Sequence, residues 1–269
     1  MRGKIYWALL GALLLVTVLL FEAQKMRPVV AVLDVGQGSS MYVRSSDGYE
    51  VLIDSGSTRK VLRELSRYRP FWDRHIDAFI ATHADGDHIG AFPDLLERLE
   101  IDLYIDNGQV RRGNGPFDAV AALRKNTEYF VPQPGQRLAF GQHLYIYFFF
   151  PYPELVENMG LNESSLVMKI VSDGISIMNS GDAPQSVEMY LAKTYGSELA
   201  ADILLAGHHG SKTSTALEFL ETVNPDYVVV SAGLDNSYGH PHPEVIKRIE
   251  TFGAQILETA KEGSVEFRI

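Results

Sequence analysis

The stretch Thr82 to Gly90, T-H-A-D-G-D-H-I-G, constrains this chain more than any other. It sets His83, Asp85, Asp87 and His88 within six positions, directly after the apolar run IDAFIAT (76–82). At this composition H-x-D-x-D-H arises by chance in on the order of one such sequence in a thousand. Four ligand-type side chains on so short a loop repel one another, or forfeit hydration, unless a cation gathers them. A strand end followed by a tight turn is what aims such groups, and Gly86 and Gly90 suit that turn. The competing reading is a polar surface loop. Cysteine is absent, which excludes disulfide scaffolds, zinc fingers, iron–sulfur clusters and thiol nucleophiles. Any metal site must therefore use His, Asp and Glu.

Six of the 8 histidines fall in three pairs, His83/His88, His208/His209 and His240/His242. Each lies after a strand-like run or beside a turn, where functional groups are displayed. His208 and His209, in A-G-H-H-G-S-K, follow the run DILLAG (202–207), and Gly210 permits close backbone approach. A lone His pair is weak, but a closed metal site needs ligands from distant parts of the chain. Asp182, in N-S-G-D-A-P, is either such a ligand or the N-cap of the helix that Pro184 opens. Asp54 in L-I-D-S-G and Asp34 in L-D-V-G-Q-G are turn residues or acceptors that fix the tautomer of a ligating imidazole. His240, in Y-G-H-P-H-P, either caps the following helix or points at a substrate, while His242 reads as the cap.

The flanking chain supplies the scaffold. Strand-like runs are VVAVLDV (29–35), SMYVR (40–44), EVLIDS (50–55), 76–82 and DLYID (102–106). Helical spacing covers 58–68, AFPDLLERL (91–99) and FDAVAALRKN (117–126). The second half has the same alternation, with strands at 143–150, 165–171, 174–180, 202–207 and 226–233, helices near 185–195, 215–222 and 242–252, and closing strands AQILET and SVEFRI. Two blocks of strands with helices between and outside them predict a layered α/β protein with two mixed sheets.

Ile5 to Phe21 is an uncharged apolar run of about 17 residues, at the short end of what spans a bilayer. Arg2 and Lys4 precede it; Glu22, Lys25 and Arg27 follow. It has no polar face, which argues against a core helix. Its exit lacks a small-x-small cleavage site, which favours a retained anchor over a cleaved signal. Both readings place the rest of the chain outside the cytoplasmic membrane. Residues 1–28 are thus expected to be an anchor or signal segment, and 29–269 the functional domain. With 24 basic against 34 acidic residues, the net charge of −10 counts mildly against a non-specific polyanion binder.

The ordered set L-D-V-G-Q-G, L-I-D-S-G, T-H-A-D-G-D-H-I-G, N-E-S-S-L-V, S-G-D-A, G-H-H-G-S-K and G-H-P-H-P resembles the metallo-β-lactamase-fold hydrolases. More narrowly it resembles the extracellular domain of the competence-channel protein ComEC, over nearly all of 29–269. The resemblance implies a four-layer αββα sandwich, preceded here by the N-terminal hydrophobic helix, with a metal cleft at one edge of the two sheets. It implies His83, Asp85 and Asp182 around a first divalent metal. Around a second it implies Asp87, His88, Asp182 and either His208 or His209, of which His208 lies nearer the strand end. The superfamily's middle histidine has no counterpart: N-E-S-S-L-V (162–167) takes its place, and His143 precedes that on the wrong side of a strand. Oxygen ligands favour Mn²⁺ or Mg²⁺ at the first site, and mixed ligands Zn²⁺ or Mn²⁺ at the second.

The expected activity is a two-metal phosphodiesterase or nuclease, with DNA as a candidate substrate, using a hydroxide held between the cations. Asp87 would orient that nucleophile; His240, Asn162, Ser164, Ser211 and Lys212 would contact substrate. Two alternatives stand beside it: hydrolysis of another extracellular ester (teichoic acid, phospholipid or lactone), and a catalytically silent metal-binding domain. The multi-helix channel of ComEC has no counterpart in this sequence.

Overall fold

Alternation of side chains along short apolar strands decides the architecture. The computed structural model describes residues 2–24, 26–111 and 113–268. Lys25, a flank of the apolar run, and Ile269, the last residue of SVEFRI, lie outside them. β1 (Val29–Val32), β2 (Met41–Arg44), β3 (Glu50–Ile53), β4 (His75–Ile80), β5 (Glu100–Ile105) and β6 (Glu128–Phe130) form one sheet in that order. Its other edge is β14 (Val265–Arg268), paired antiparallel to β1. β3 through β6 run parallel. β7 (Arg137–Phe140), β8 (Leu144–Phe150), β9 (Val167–Ser172), β10 (Ile175–Asn179), β11 (Ile203–Leu205), β12 (Tyr227–Val230) and β13 (Gln255–Glu258) form the second sheet, parallel from β10 to β13.

One set of alternate residues faces the gap between the sheets. Val30, Val32, Met41, Val43, Ile53 and Ile80 meet Ile146, Ile170, Ile177, Ile203 and Val229 there, all fully or almost fully buried. The other set meets helices. Ala31, Tyr42, Leu52 and Phe79 pack under α2 (Lys60–Leu65), α4 (Phe92–Leu96) and α5 (Pro116–Asn126), whereas Met178, Leu204 and Val228 pack under α6 (Gln185–Tyr195), α7 (Leu217–Val223) and α8 (Pro243–Phe252). Each large apolar side chain contributes about 1.5–3 kcal/mol on burial. This is the expected four-layer αββα sandwich.

The differences are local. The helix expected over 91–99 ends at Leu96, and that expected over 58–68 spans only Lys60–Leu65. β6 and β7 are three and four residues long, too short for alternation to register from sequence. The metal-type loop itself contains a one-turn helix, α3 (Gly86–Ile89). A second one-turn helix, α9 (Thr259–Glu262), joins β13 to β14. At the N-terminus α1 (Arg2–Gln24) contains an 18-residue stretch, Lys4–Phe21, of mean hydropathy 2.1 with none of it buried, long and apolar enough to cross a membrane.

Candidate metal centre

The parallel strands of both sheets deliver their C-terminal ends to one cleft. β3 leads to Asp54, β4 to Thr82 and His83, β10 to Asp182, and β11 to His208 and His209. Leu166 N donates to Thr82 O (2.8 Å), tying the two sheets together at this edge.

Asp182 is the hub. Its Oδ1 lies 3.2 Å from His88 Nε2 and 3.7 Å from His209 Nε2. Its Oδ2 lies 3.5 Å from His208 Nε2 and 3.8 Å from His83 Nε2. Asp87 Oδ2 is 3.2 Å from His209 Nε2. The ligand atoms of His83, His88 and Asp182 all lie within 4.8 Å of one another, as do those of Asp87, His88 and His209. The Asp182 carboxylate does not cap α6; that position is held by Pro184 without a side-chain hydrogen bond. The Asp182 amide instead donates to Ser165 Oγ (3.2 Å).

One carboxylate beneath the cluster orients two imidazoles. Asp54 Oδ2 accepts from His88 Nδ1 (2.7 Å) and from the Thr82 hydroxyl (2.8 Å), while its Oδ1 accepts from Thr82 N (2.8 Å). The Thr82 oxygen in turn lies 3.1 Å from His83 Nδ1. His209 Nδ1 donates to Ser231 O (3.0 Å). Each ring thus has its Nδ1 engaged and its Nε2 lone pair turned inward. The Nε2 atoms of His83, His88 and His209 are buried without a hydrogen-bond partner among the described residues. Three buried imidazole nitrogens that converge on two carboxylates without a well-formed hydrogen bond fit a divalent cation.

The electrostatics agree. Burial opposes charge on both carboxylates, yet the surrounding imidazoles hold Asp182 well below the usual carboxylate range and Asp87 down to about 2. Burial, with His88 alongside, drives His83 down to about 3. Burial also disfavours the charge on His88, but Asp182 and Asp54 on either side of the ring outweigh it and lift its pKa well above normal.

Other residues land differently from expectation. Asp85 does not join the cluster: its Oδ1 accepts from Gly86 N (2.6 Å) at the N-cap of α3. Among the described residues Asp34 bonds no imidazole; it accepts from Gly36 N (3.1 Å) and pairs with Lys60 Nζ (2.6 Å), because the 33–38 loop needs its own turn bond. Ser164 is fully buried, its hydroxyl donating to Leu161 O (2.9 Å) and lying 3.1 Å from Asn107 Nδ2, so it supports the loop rather than facing solvent. Asn162 accepts through its backbone from Ser165 N (3.1 Å). Ser211 is buried and bonds Thr213 Oγ1 (2.9 Å), and Lys212 is exposed. His240 sits with its ring centroid 5.6 Å from His208 and 6.3 Å from His209; burial and those rings lower it to about 4. His242 occupies the N-cap of α8 through its backbone alone. Thr82, Ser165 and Ser231 are partners that sequence reasoning passed over, as is Arg111, whose Nη1 donates to Ala84 O (2.9 Å) at the cleft rim. The threonine preceding the first histidine was the one available signal.

Fold and site together define a metallo-β-lactamase-type centre. The chain belongs to the metallo-beta-lactamase superfamily, whose family model matches residues 33–233. Among curated proteins it is 31% identical to ComE operon protein 3 of Bacillus subtilis over 257 residues, 89% of this chain and 33% of that protein. It is 30% identical to competence protein ComA of Neisseria gonorrhoeae (88% of this chain, 32% of that one) and to recombination protein 2 of Haemophilus influenzae (94% and 30%). The chain thus spans about a third of the length of these relatives. Among solved structures, YhfI of Bacillus subtilis aligns with a TM-score of 0.58 at 17% identity, covering 90% of this chain and all of that one. Zn²⁺-bound PqqB of Methylobacterium extorquens aligns with a TM-score of 0.55 at 13% identity, covering 90% and 99%. These last two share the fold.

Proposed function

We propose that this protein is a metal-dependent hydrolase of phosphodiesters, with DNA as the candidate substrate. Residues 1–28 would anchor it to the cytoplasmic membrane and residues 29–269 would act outside. The observation that carries the metal-dependent part is the trio of buried, unpartnered Nε2 atoms on His83, His88 and His209 facing Asp182. The likeness to competence proteins supports the nucleic-acid part.

Asp87, His88, His209 and one oxygen of Asp182 would hold one cation; His83 and the other Asp182 oxygen would hold a second. That second set is completed by His208, which lies 3.5 Å from Asp182 Oδ2, rather than by Asp85. Mixed imidazole and carboxylate donors suit Zn²⁺ or Mn²⁺. Bound cations supply Lewis acidity, water ionisable near neutral pH and charge neutralisation at phosphorus. Asp54 and Thr82 keep the two imidazoles in one tautomer. His240, held neutral, offers a hydrogen bond to a substrate oxygen from the far wall, and Lys212 and Arg111 place positive charge at the rim. Turnover of bis-p-nitrophenyl phosphate that disappears with chelator and returns with Mn²⁺ or Zn²⁺ is the expected outcome. Bound metal with no turnover of this or of single-stranded DNA would contradict the reading. That result would support the silent metal-binding alternative, which the turned-away Asp85 carboxylate favours.

A further inference from the structure

The end of the first sheet opposite the metal centre carries a second kind of surface. In register, Val29 pairs with Arg44 and Arg44 with Glu50, so the start of β1 lies beside the start of β3. The starts of β4 and β5 lie at this same end, with His75 opposite Glu100. Asp54 and His83 follow the other ends of β3 and β4. The segment entering β4, Pro70–Phe71–Trp72–Asp73–Arg74, therefore sits where the chain enters β1 from α1.

This segment is unusual in what it shows to water. Phe71 is 80% and Trp72 50% exposed, with their rings edge to face at 4.9 Å. Phe71 borders a recess of about 690 Å³ whose lining includes Arg59, Arg63, Arg74 and Arg98 beside Asp73 and Glu97. Residues 59–74 hold five arginines and one lysine against two acidic side chains, in a chain of net charge −10. Arg59, Arg63 and Arg67 pair with Asp94 or Glu64 but remain more than half exposed, so their charge still faces outward. Met26 and Arg27, just before β1, are exposed as well.

We infer that this aromatic and arginine face rests on the anionic surface of the bilayer that holds α1. The inference depends on the anchored reading of α1 given above. Gln24 and Val29 are five Cα steps apart, a reach of at most about 18 Å, so an inserted α1 keeps this end of the sheet next to the headgroups. Tryptophan is favoured at headgroup level, phenylalanine at the acyl boundary, and arginine with anionic lipid. A nucleic acid would also pair with arginines and stack on Trp72, but it would do so at the end remote from the cleft that cuts it. Seated this way, the metal cleft opens away from the lipid, toward substrates in solution rather than phospholipid.

The chain has 2 tryptophans, Trp7 in α1 and Trp72 in the face, so each can be read alone. The full chain is reconstituted in vesicles of phosphatidylcholine and phosphatidylglycerol, with brominated or unbrominated acyl chains. In Trp7→Phe, Trp72 emission should fall with brominated lipid, and less so after Arg98→Glu or without phosphatidylglycerol. In Trp72→Phe, Trp7 emission should fall in brominated lipid whatever the state of the face. Trp7 quenched while Trp72 is not would overturn the docking face and leave the anchor standing. Neither quenched would remove the anchor and the face together. Trp72 emission changed by a single-stranded oligonucleotide but not by brominated lipid would assign the face to nucleic acid instead.

Discussion

Two loops build the candidate metal centre, and they do so in opposite ways. The loop after β4 is local and relaxed. Asp85 caps a one-turn helix, so Asp87 and His88 follow in ordinary helical geometry, and Gly90 lets the turn pack: a Cβ there would meet Gly86 O at 2.2 Å. The loop after β11 is strained. His208 and His209 both adopt left-handed backbone, with φ of 49° and 57°, a conformation that costs about 1–2 kcal/mol per non-glycine residue. Surrounding structure holds it there. Glu188, fully buried, accepts from Thr215 N (2.9 Å) and Ala216 N (2.7 Å), Gly181 O accepts from His208 N (3.0 Å), and Ser231 O takes His209 Nδ1. A one-turn helix with its cap places its ligands by itself, whereas an unwound turn places them only through its neighbours.

The largest effect should come from the residue both loops share. Asp182→Ala removes both carboxylate oxygens at the hub, and hydrolysis should fall to background in a steady-state assay. Activity retained in that variant would mean that the loops work separately. Next, His209→Ala should lose more activity and metal than His208→Ala, because His209 faces both Asp87 and Asp182 while His208 is partly exposed and meets Asp182 alone. Metal content by mass spectrometry of the two variants checks this ranking; the reverse order would return the principal role to His208.

Asp54→Ala should weaken metal binding by about 10–100-fold, the usual cost of losing a carboxylate behind a ligating imidazole. Competition with a chromophoric chelator measures it. A smaller loss would show that Thr82 alone keeps the rings aligned.

The strained loop should carry its own pH signature. Burial raises Glu188 to about 7, against the lowering pull of the Ala216 and Thr215 amides. The folded protein thus retains a proton that the unfolded chain releases at lower pH. Stability from this group is present below the unfolded value and is lost as pH rises through about 7. The loss should be about 2 kcal/mol between roughly pH 5.5 and 7.5. Thermal unfolding followed by circular dichroism should show that slope, and Glu188→Gln should flatten it. An equal slope in both proteins would remove Glu188 from the support of the histidine turn.

The contrast between the loops also explains what could be read before the structure. His83, Asp87 and His88 stand out because candidate ligands crowded into six positions after a strand leave a pattern in sequence, and the alternating β-runs declare the two sheets. The choice between His208 and His209 does not, because it depends on left-handed backbone that no residue type there announces. Proximity to the strand end pointed to His208; the turn instead rotates His209 beneath Asp87. Asp85, Asp34 and Ser164 have the right chemistry for the site, but each is consumed by a nearby backbone or side-chain partner, which sequence spacing does not reveal. Asp54 does lie behind an imidazole, accepting from His88 Nδ1, although it too has left-handed backbone, with φ of 58°.

Anomalous diffraction from crystals grown with Mn²⁺ or Zn²⁺, recorded on both sides of the metal edge, addresses the convergence of these loops most directly. It should show metal density between Asp182 and the Nε2 atoms of His88 and His209, with Asp87 on the same ion. Metal-loaded crystals with no anomalous peak within bonding distance of Asp182 would contradict it.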